Sequence, residues 1–224
     1  MPPTRHDKLA GHAENLLDAF LRLRGTYAML EPLLFDRDVI DRWGSGKRAH
    51  GLSLVVNALF YSCVLDIAMI ALDTDERTPS LLQLDASLDD SPVVAELRER
   101  FAIRNLAPAR EEDPDDIALL EAMERREEAE RRLEFGELVT ELRSRWPLLR
   151  VSSALTSFRT MRDKLIAHHQ LWHDGDKYRP LDVASLGLKR GDLRAVRSEL
   201  QTLVDLTTLV FRQRLLGSKH CISS

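Results

Sequence analysis

Apolar residues recur every three or four positions near the start of the chain, which predicts the first helix. The repeat begins at Leu9 and continues to Leu30, through Ala13, Leu16, Phe20, Leu23 and Tyr27. A seam of this kind is typical of helices that pack at a shallow angle in a bundle. Pro32 is expected to end the helix, because proline has no N–H to donate and its ring clashes with the preceding turn.

A second apolar segment, Leu52 to Leu72, has apolar residues on nearly all sides and is long enough to cross a bilayer. It also carries Asn57, Ser62 and Asp66, and an ionised carboxylate near the centre of a bilayer is costly. We therefore expect a buried helix at the centre of the bundle rather than a membrane span.

A charged helix is predicted across 111–146, starting at Asp113 as N-cap and Pro114 as first helical residue. Acidic residues precede basic ones by four positions in the order that favours ion pairs. These pairs are Glu121–Arg125, Glu127–Arg131 and Glu128–Arg132. The pattern predicts a solvated helix that partly projects beyond the core. A basic ridge facing RNA is the alternative, but acidic residues balance its arginines.

The chain after Trp146 is predicted to hold two helices with one irregular segment between them. Pro147 is expected to restart the chain into a helix over the following residues, and a turn-rich segment covers Trp172 to Arg190. The last helix should begin near Asp192 and bury one face, formed by Leu193, Val196, Leu200, Leu203, Thr207 and Val210. No run alternates at period two, so the fold class is all-α. We expect a single domain over 1–224, with its core at about 10–215 and a flexible tail at 217–224.

Composition and charge indicate the cellular compartment of the protein. The 224 residues carry a formal net charge of −4, so no general attraction to nucleic acid or anionic membrane is indicated and any basic site must be local. Two cysteines, Cys63 and Cys221, make no disulfide framework, and 1–11 is too polar for a cleavable signal. These features predict a cytoplasmic protein.

The candidate chemistry lies at 158–173, FRTMRDKLIAHHQLWH. The inward stripe predicted for its helix is Leu148, Val151, Leu155, Phe158, Arg162, Leu165 and His169. An arginine on an apolar stripe is costly unless it is paired or faces a wet cleft or a partner. Two explanations remain open: Arg162 forms a core ion pair with Asp66, or it belongs to a functional site shared with His168 and His169.

The segment RDKLIAH at 162–168 resembles the signature of the HEPN superfamily, an Arg and a polar residue followed by His after four to six intervening residues. His168 fits with five and His169 with six. The apolar helix ending in an acidic turn (68–73), the Leu-rich turn (80–84) and the helix after Gly191 and Asp192 resemble the HEPN subfamily of the abortive-infection protein AbiU. The resemblance covers about 10–215.

This resemblance implies an up-and-down helical bundle that forms a homodimer, so that two motifs share one composite cleft. It further implies a metal-independent endoribonuclease of a toxin–antitoxin or anti-phage abortive-infection system, with RNA as substrate and without a cofactor. A cognate antitoxin protein would be a further partner. His169 and His173 have a metal-ligand spacing, but nothing completes a zinc set.

The residue types suit RNA cleavage through the 2′-hydroxyl. Arg162 would clamp phosphate oxygens, and a histidine with a pKa near neutrality can act as base or acid. We expect His168 to fill that role, although His169 aligns better with Arg162 on the helix. Asp163 would orient Arg162 or a histidine. The basic residues that could contact the RNA backbone are Arg159 and Lys164.

Two other functions remain open at this stage. The chain could be a non-catalytic HEPN-type module that binds a nucleotide, RNA or a protein through the same cleft. It could also be a plain helical dimerisation protein in which Arg162 is an internal ion-pair residue. A ribonuclease should lose activity when Arg162 or His168 is replaced.

Overall fold

The fold is a helical bundle, seen in a computed structural model that describes residues 4–103, 114–166, 171–174, 177–180 and 186–212. The elements, in chain order, are α1 (Arg5–Phe35), α2 (Arg37–Arg42), α3 (Lys47–Leu72), α4 (Leu81–Ser87), α5 (Ser91–Ala102), α6 (Pro114–Arg150), α7 (Ser153–Met161), a π-helical turn (Arg162–Ile166), β1 (Leu171–Asp174), β2 (Lys177–Pro180) and α8 (Arg190–Phe211). The all-α class predicted from the sequence is confirmed, with a short hairpin added to it.

α1 forms because its first turn is capped and its seam is buried. The Thr4 N–H donates to Asp7 Oδ2 at 2.9 Å and the Asp7 N–H donates to Thr4 Oγ1 at 3.2 Å, which satisfies two end groups reciprocally. The predicted seam from Ala13 to Leu30 is buried. The expected end at Pro32 is wrong: α1 continues to Phe35, since the Asp36 N–H bonds to the Pro32 carbonyl and Leu34 is buried.

α1 and α8 run antiparallel. Glu31, near the C-terminal end of α1, pairs with Arg194 near the start of α8 at 2.7 Å, whereas Glu14 pairs with Arg212 just beyond the end of α8 at 3.2 Å. The predicted inner face of α8 is buried throughout. α3 follows α1 through the six-residue α2 and packs back against it. One end of the bundle, named here the α2 end, therefore holds the end of α1, α2 and the starts of α3 and α8.

α3 is buried over its second half alone. Cys63, Val64, Ile67, Ala68, Ile70 and Ala71 are buried, whereas Leu54 and Val55 are 58% and 51% exposed. The expectation of a helix buried along its whole length is thus wrong for the first half, where Val56 and Leu59 pack against the core while Leu54 and Val55 face solvent. In the described part of the chain, α3 alone is long and apolar enough to cross a membrane, and 33% of its apolar window is buried. One such helix is weak evidence, since core helices pass the same test.

α6 is a 37-residue helix that runs through Pro147 to Arg150. Trp146 and Leu149 are buried on either side of the proline, which holds the last turn in place. The expected restart at Pro147 is therefore wrong. The inward stripe is also wrong at its start, because Leu148 and Val151 are 71% and 73% exposed.

The charged part of α6 forms the predicted ion pairs. Glu121–Arg125, Glu127–Arg131 and Glu128–Arg132 are all present, with N···O distances of 3.4, 3.0 and 3.3 Å. Arg132 also pairs with Glu99 of α5 at 2.9 Å, which ties this stretch to the neighbouring helix. Exposed pairs of this kind each contribute little to stability, because water and salt screen them. The buried Phe135 and Leu142 anchor the helix to the core.

β1 and β2 pair antiparallel within the segment that the sequence predicts as turn-rich. Their register sets Trp172 opposite Arg179, His173 opposite Tyr178 and Asp174 opposite Lys177. The strands have four residues each, too short for a period-two pattern to stand out. The hairpin lies between the π-helical turn and α8.

Candidate functional site

α7 is oriented by a capped start and a buried face. Ser152 is the N-cap, and its hydroxyl accepts the Leu155 N–H at 3.3 Å. Leu155, Phe158 and Met161, three residues apart, have no exposed surface. This apolar face locks the rotation of α7 about its axis, so that the residues directly after it have defined positions.

α7 runs toward the α2 end of the bundle. It starts just after α6, and Arg150 at the end of α6 lies near Asp85 of α4. Burial and Asp89 raise the pKa of Asp85, and the nearby Arg150 opposes that rise. Since α4 follows the end of α3 closely, α7 begins beside the C-terminal end of α3. It packs against α3, and so does the π-helical turn that follows. α7 and the turn therefore both lie alongside α3.

The signature residues Arg162, Asp163 and Lys164 form the first part of the π-helical turn. The Arg162 N–H still bonds back to the carbonyls of Arg159 and Phe158, so α7 leads directly into the wider turn. Single π-helical turns are rare and occur frequently at functional sites. Nothing in the spacing of the sequence indicates this one, because a π turn differs from an α turn by one residue.

Asp163 lies between two guanidinium groups. Arg162 Nε donates to Asp163 Oδ1 at 2.7 Å, and Arg159 Nε is 3.8 Å from Asp163 Oδ2. The side chains of Arg162, Asp163 and Arg159 are 25%, 44% and 63% exposed. Two cations and one carboxylate leave a net positive charge. We name these three residues the arginine cluster.

Arg162 is not part of a core ion pair with Asp66. Among the described residues its hydrogen bond goes to Asp163, and Asp66 is close to Arg22 of α1 instead. Burial raises the pKa of Asp66, and Arg22 opposes that shift. Burial, followed by the nearby Asp66, raises the pKa of the Cys63 thiol to about 12, so Cys63 is an inert core residue.

The cluster can bind an anion. Arg162 uses Nε for Asp163, and its Nη1 and Nη2 groups make no hydrogen bond to another described residue. A guanidinium oriented by a carboxylate presents its remaining N–H groups in a fixed fork that matches phosphate oxygens. Lys164 is half-buried on the same turn. The expected partners His168 and His169 lie outside the described residues.

A second basic feature at the α2 end escaped the sequence analysis. Arg194 and Arg197 of α8 lie over the rings of Phe35 and Tyr27 of α1, with guanidinium carbon to ring centroid distances of 4.4 and 4.8 Å. The signal for it was the basic character of the first turns of α8, where Lys189 precedes these arginines. Across the described ranges, no three His, Cys, Asp or Glu side chains are grouped to hold a metal ion.

Comparison with known families identifies the family of the chain. The family model described as AbiU2, of the HEPN superfamily, matches residues 6–217. The chain belongs to the AbiU2 family of HEPN domains. No curated protein and no solved structure matches the chain.

Family membership gives the arginine cluster its context. The family match spans α1 to α8, so the charged α6 and the hairpin both lie inside it. A HEPN-type module is thus established for this chain, and Arg162 and Asp163 of the cluster belong to the segment at 162–168 that resembles the HEPN signature.

Proposed function

We propose that this AbiU2-family protein is a metal-independent endoribonuclease of a toxin–antitoxin or abortive-infection system, acting in the cytoplasm. The observation that carries the proposal is the arginine cluster, in which Asp163 orients Arg162 on a π-helical turn at 2.7 Å. A partly exposed guanidinium held in one orientation suits the negative charge that develops on the phosphate oxygens during RNA cleavage. The family match supports the same reading of RDKLIAH.

The proposed reaction uses the 2′-hydroxyl of the RNA as nucleophile. The 2′-oxygen bonds to the adjacent phosphorus, the bond from phosphorus to the 5′-oxygen breaks, and a 2′,3′-cyclic phosphate forms. One histidine takes the proton of the 2′-hydroxyl, and a second, protonated group gives a proton to the 5′-oxygen. His168 is the proposed base, with His169 as the other candidate. Arg162 binds the non-bridging oxygens as their charge increases.

A second copy of the chain is the proposed source of the second group. One face of α3 presents Leu54 and Leu65, eleven residues apart and 58% and 38% exposed, and the π-helical turn packs against the same helix. Along the helix axis this face spans about 16 Å from Leu54 to Leu65, about half of what a bilayer requires. An isologous contact would cover both copies of this face and bring two arginine clusters toward one cleft.

Cleavage of single-stranded RNA in EDTA tests the function. Wild type should cut, while Arg162→Ala and His168→Ala should cut at least about 100-fold more slowly, which is the usual cost of losing a group that stabilises the transition state. In cells, wild type alone should inhibit growth. Circular dichroism of each variant must match wild type. An inactive wild type that binds RNA would instead support the non-catalytic module.

A further inference from the structure

Two arginines of α8 are held against aromatic rings of α1, away from the arginine cluster. Arg194 lies over Phe35 and also hydrogen-bonds Tyr27 Oη at 3.3 Å and Glu31 at 2.7 Å. Arg197 lies over Tyr27, one turn further along α8. A guanidinium stacked on a ring loses little further freedom when its N–H groups bind an anion, so both cations are preorganised.

The charges of this pair are not balanced. Glu31 neutralises Arg194, but within the described ranges no carboxylate forms an ion pair with Arg197. The Nε of Arg197 is buried and has no hydrogen-bond acceptor among those residues. A partly buried cation that forms no ion pair attracts an anionic ligand more strongly than a solvated surface arginine does.

The position of the pair relates it to the motif. The Ser157 hydroxyl on α7 donates to the Leu186 carbonyl at 3.1 Å, and the chain enters α8 a few residues later. Ser157 precedes Arg162 by five residues, about 8 Å along a helix axis. The segment that leads into α8 is therefore bonded to α7, the helix that ends at the arginine cluster, so an extended oligonucleotide can contact both groups of arginines.

We propose that Arg194 and Arg197 form a separate phosphate-binding site, which holds the backbone of single-stranded RNA beside the cleavage cleft. Because each guanidinium is stacked on a ring, the N–H groups at its edge can donate to phosphate oxygens. Such contacts depend on the charge of the RNA backbone and not on the base sequence. This inference rests on the proposed function only for the identity of the ligand as RNA, because two guanidinium groups side by side attract any polyanion. It contributes to RNA binding and takes no part in the proton transfers.

The test is the salt dependence of RNA binding. A fluorescein-labelled 2′-O-methyl RNA of about 20 nucleotides, which has no free 2′-hydroxyl to react, is titrated with protein by anisotropy at about 50 to 300 mM salt. For Arg197→Gln, the slope of log K against log salt should fall by about 0.7, the value for one lost contact to a single strand. Arg194→Gln should show a smaller fall, because Glu31 already neutralises that cation.

Two further variants separate charge from folding. Arg143→Gln removes a 44% exposed arginine paired with Asp89 at the opposite end of the bundle, and its slope should match wild type. Arg197→Lys keeps the charge but loses the planar fork, so it should keep the slope while binding several-fold more weakly. Thermal unfolding of each variant confirms that the fold is retained.

The outcomes distinguish this inference from the proposed function. If Arg197→Gln keeps the wild-type slope and affinity, the phosphate site is refuted, whether or not the protein cuts RNA. If the slope falls but unmodified RNA is never cut, the site stands and the ribonuclease proposal fails. If wild type does not bind the RNA at all, both fail.

Discussion

Asp163 accepts a hydrogen bond from the Nε of Arg162, the residue directly before it, at 2.7 Å. Consecutive side chains of a regular α-helix point about 100° apart, so neighbours seldom bond to each other there. The π-helical turn that begins at Arg162 accompanies this contact. The signature therefore has a structural meaning: its polar second residue fixes the guanidinium of its first.

Asp163→Asn should lower kcat for RNA cleavage about tenfold, because a neutral amide holds Arg162 about 1.4 kcal/mol less firmly than a carboxylate. The same change adds one positive charge to the cluster, so KM should stay equal or fall. Steady-state kinetics separates the two effects. Arg159→Gln is the matched control: its guanidinium is 63% exposed and 3.8 Å from Asp163, so kcat should change less than about threefold. An unchanged kcat in Asp163→Asn would contradict the orienting role.

Leu149→Ala should reduce the free energy of unfolding by about 2–5 kcal/mol, because Leu149 is 5% exposed and its loss leaves a cavity. Leu148→Ala, one residue earlier, should change it by less than about 0.5 kcal/mol, because Leu148 is 71% exposed. Urea denaturation measures both. A larger loss at Leu148 would mean that α6 does not run through Pro147 in this register.

Asp66→Asn should raise Tm at about pH 7. Burial raises the pKa of Asp66 above its ordinary 3.8, so the folded state binds the proton more tightly than the unfolded chain does. The free energy of unfolding therefore falls as pH rises from 3.8 through the raised pKa. The asparagine side chain does not ionise, so the variant keeps the stability that the wild type loses over this range. The Tm advantage should shrink toward zero as the pH is lowered to 3.8. The exposed Asp205 gives the control, Asp205→Asn, and an equal gain there would count against this explanation.

Leu54→Asp should dissociate the proposed dimer. Leu54 is 58% exposed in the single chain, so the monomer tolerates the charge, whereas an interface would bury it unpaired at a cost of about 100-fold in affinity. Light scattering should give twice 25.5 kDa for wild type and 25.5 kDa for the variant. Leu209→Asp, at a 50% exposed position of α8, should remain dimeric. A monomeric wild type would rule out the composite cleft.

The sequence predicted the structure correctly where the spacing of apolar or charged residues alone determines it. The seam of α1 and the inner face of α8 follow from apolar spacing, and the ion pairs of α6 follow from charge spacing alone. These signals are local, and tertiary packing reinforces them.

The sequence misled where packing overrode a local rule. Pro32 and Pro147 both lie inside helices, because buried neighbours hold the turns that follow them. The first half of α3 is exposed on the face that carries Leu54 and Val55, and hydropathy does not show which face of an apolar helix the other helices cover. The π-helical turn differs from an α-helical turn by one residue, which spacing does not show. The stacking of Arg197 on Tyr27 joins helices that are far apart in the sequence, so spacing could not reveal it either.

The measurement that tests the central claim most directly is the end chemistry of the cleaved RNA. Wild type and Arg162→Ala are incubated in EDTA with an RNA and with the DNA of the same sequence, and the products are analysed by mass spectrometry. The account predicts that wild type alone cuts, that only RNA is cut, and that the fragments carry 2′,3′-cyclic phosphates. Cleavage of the DNA, cleavage that EDTA abolishes, or equal cleavage by Arg162→Ala would contradict it.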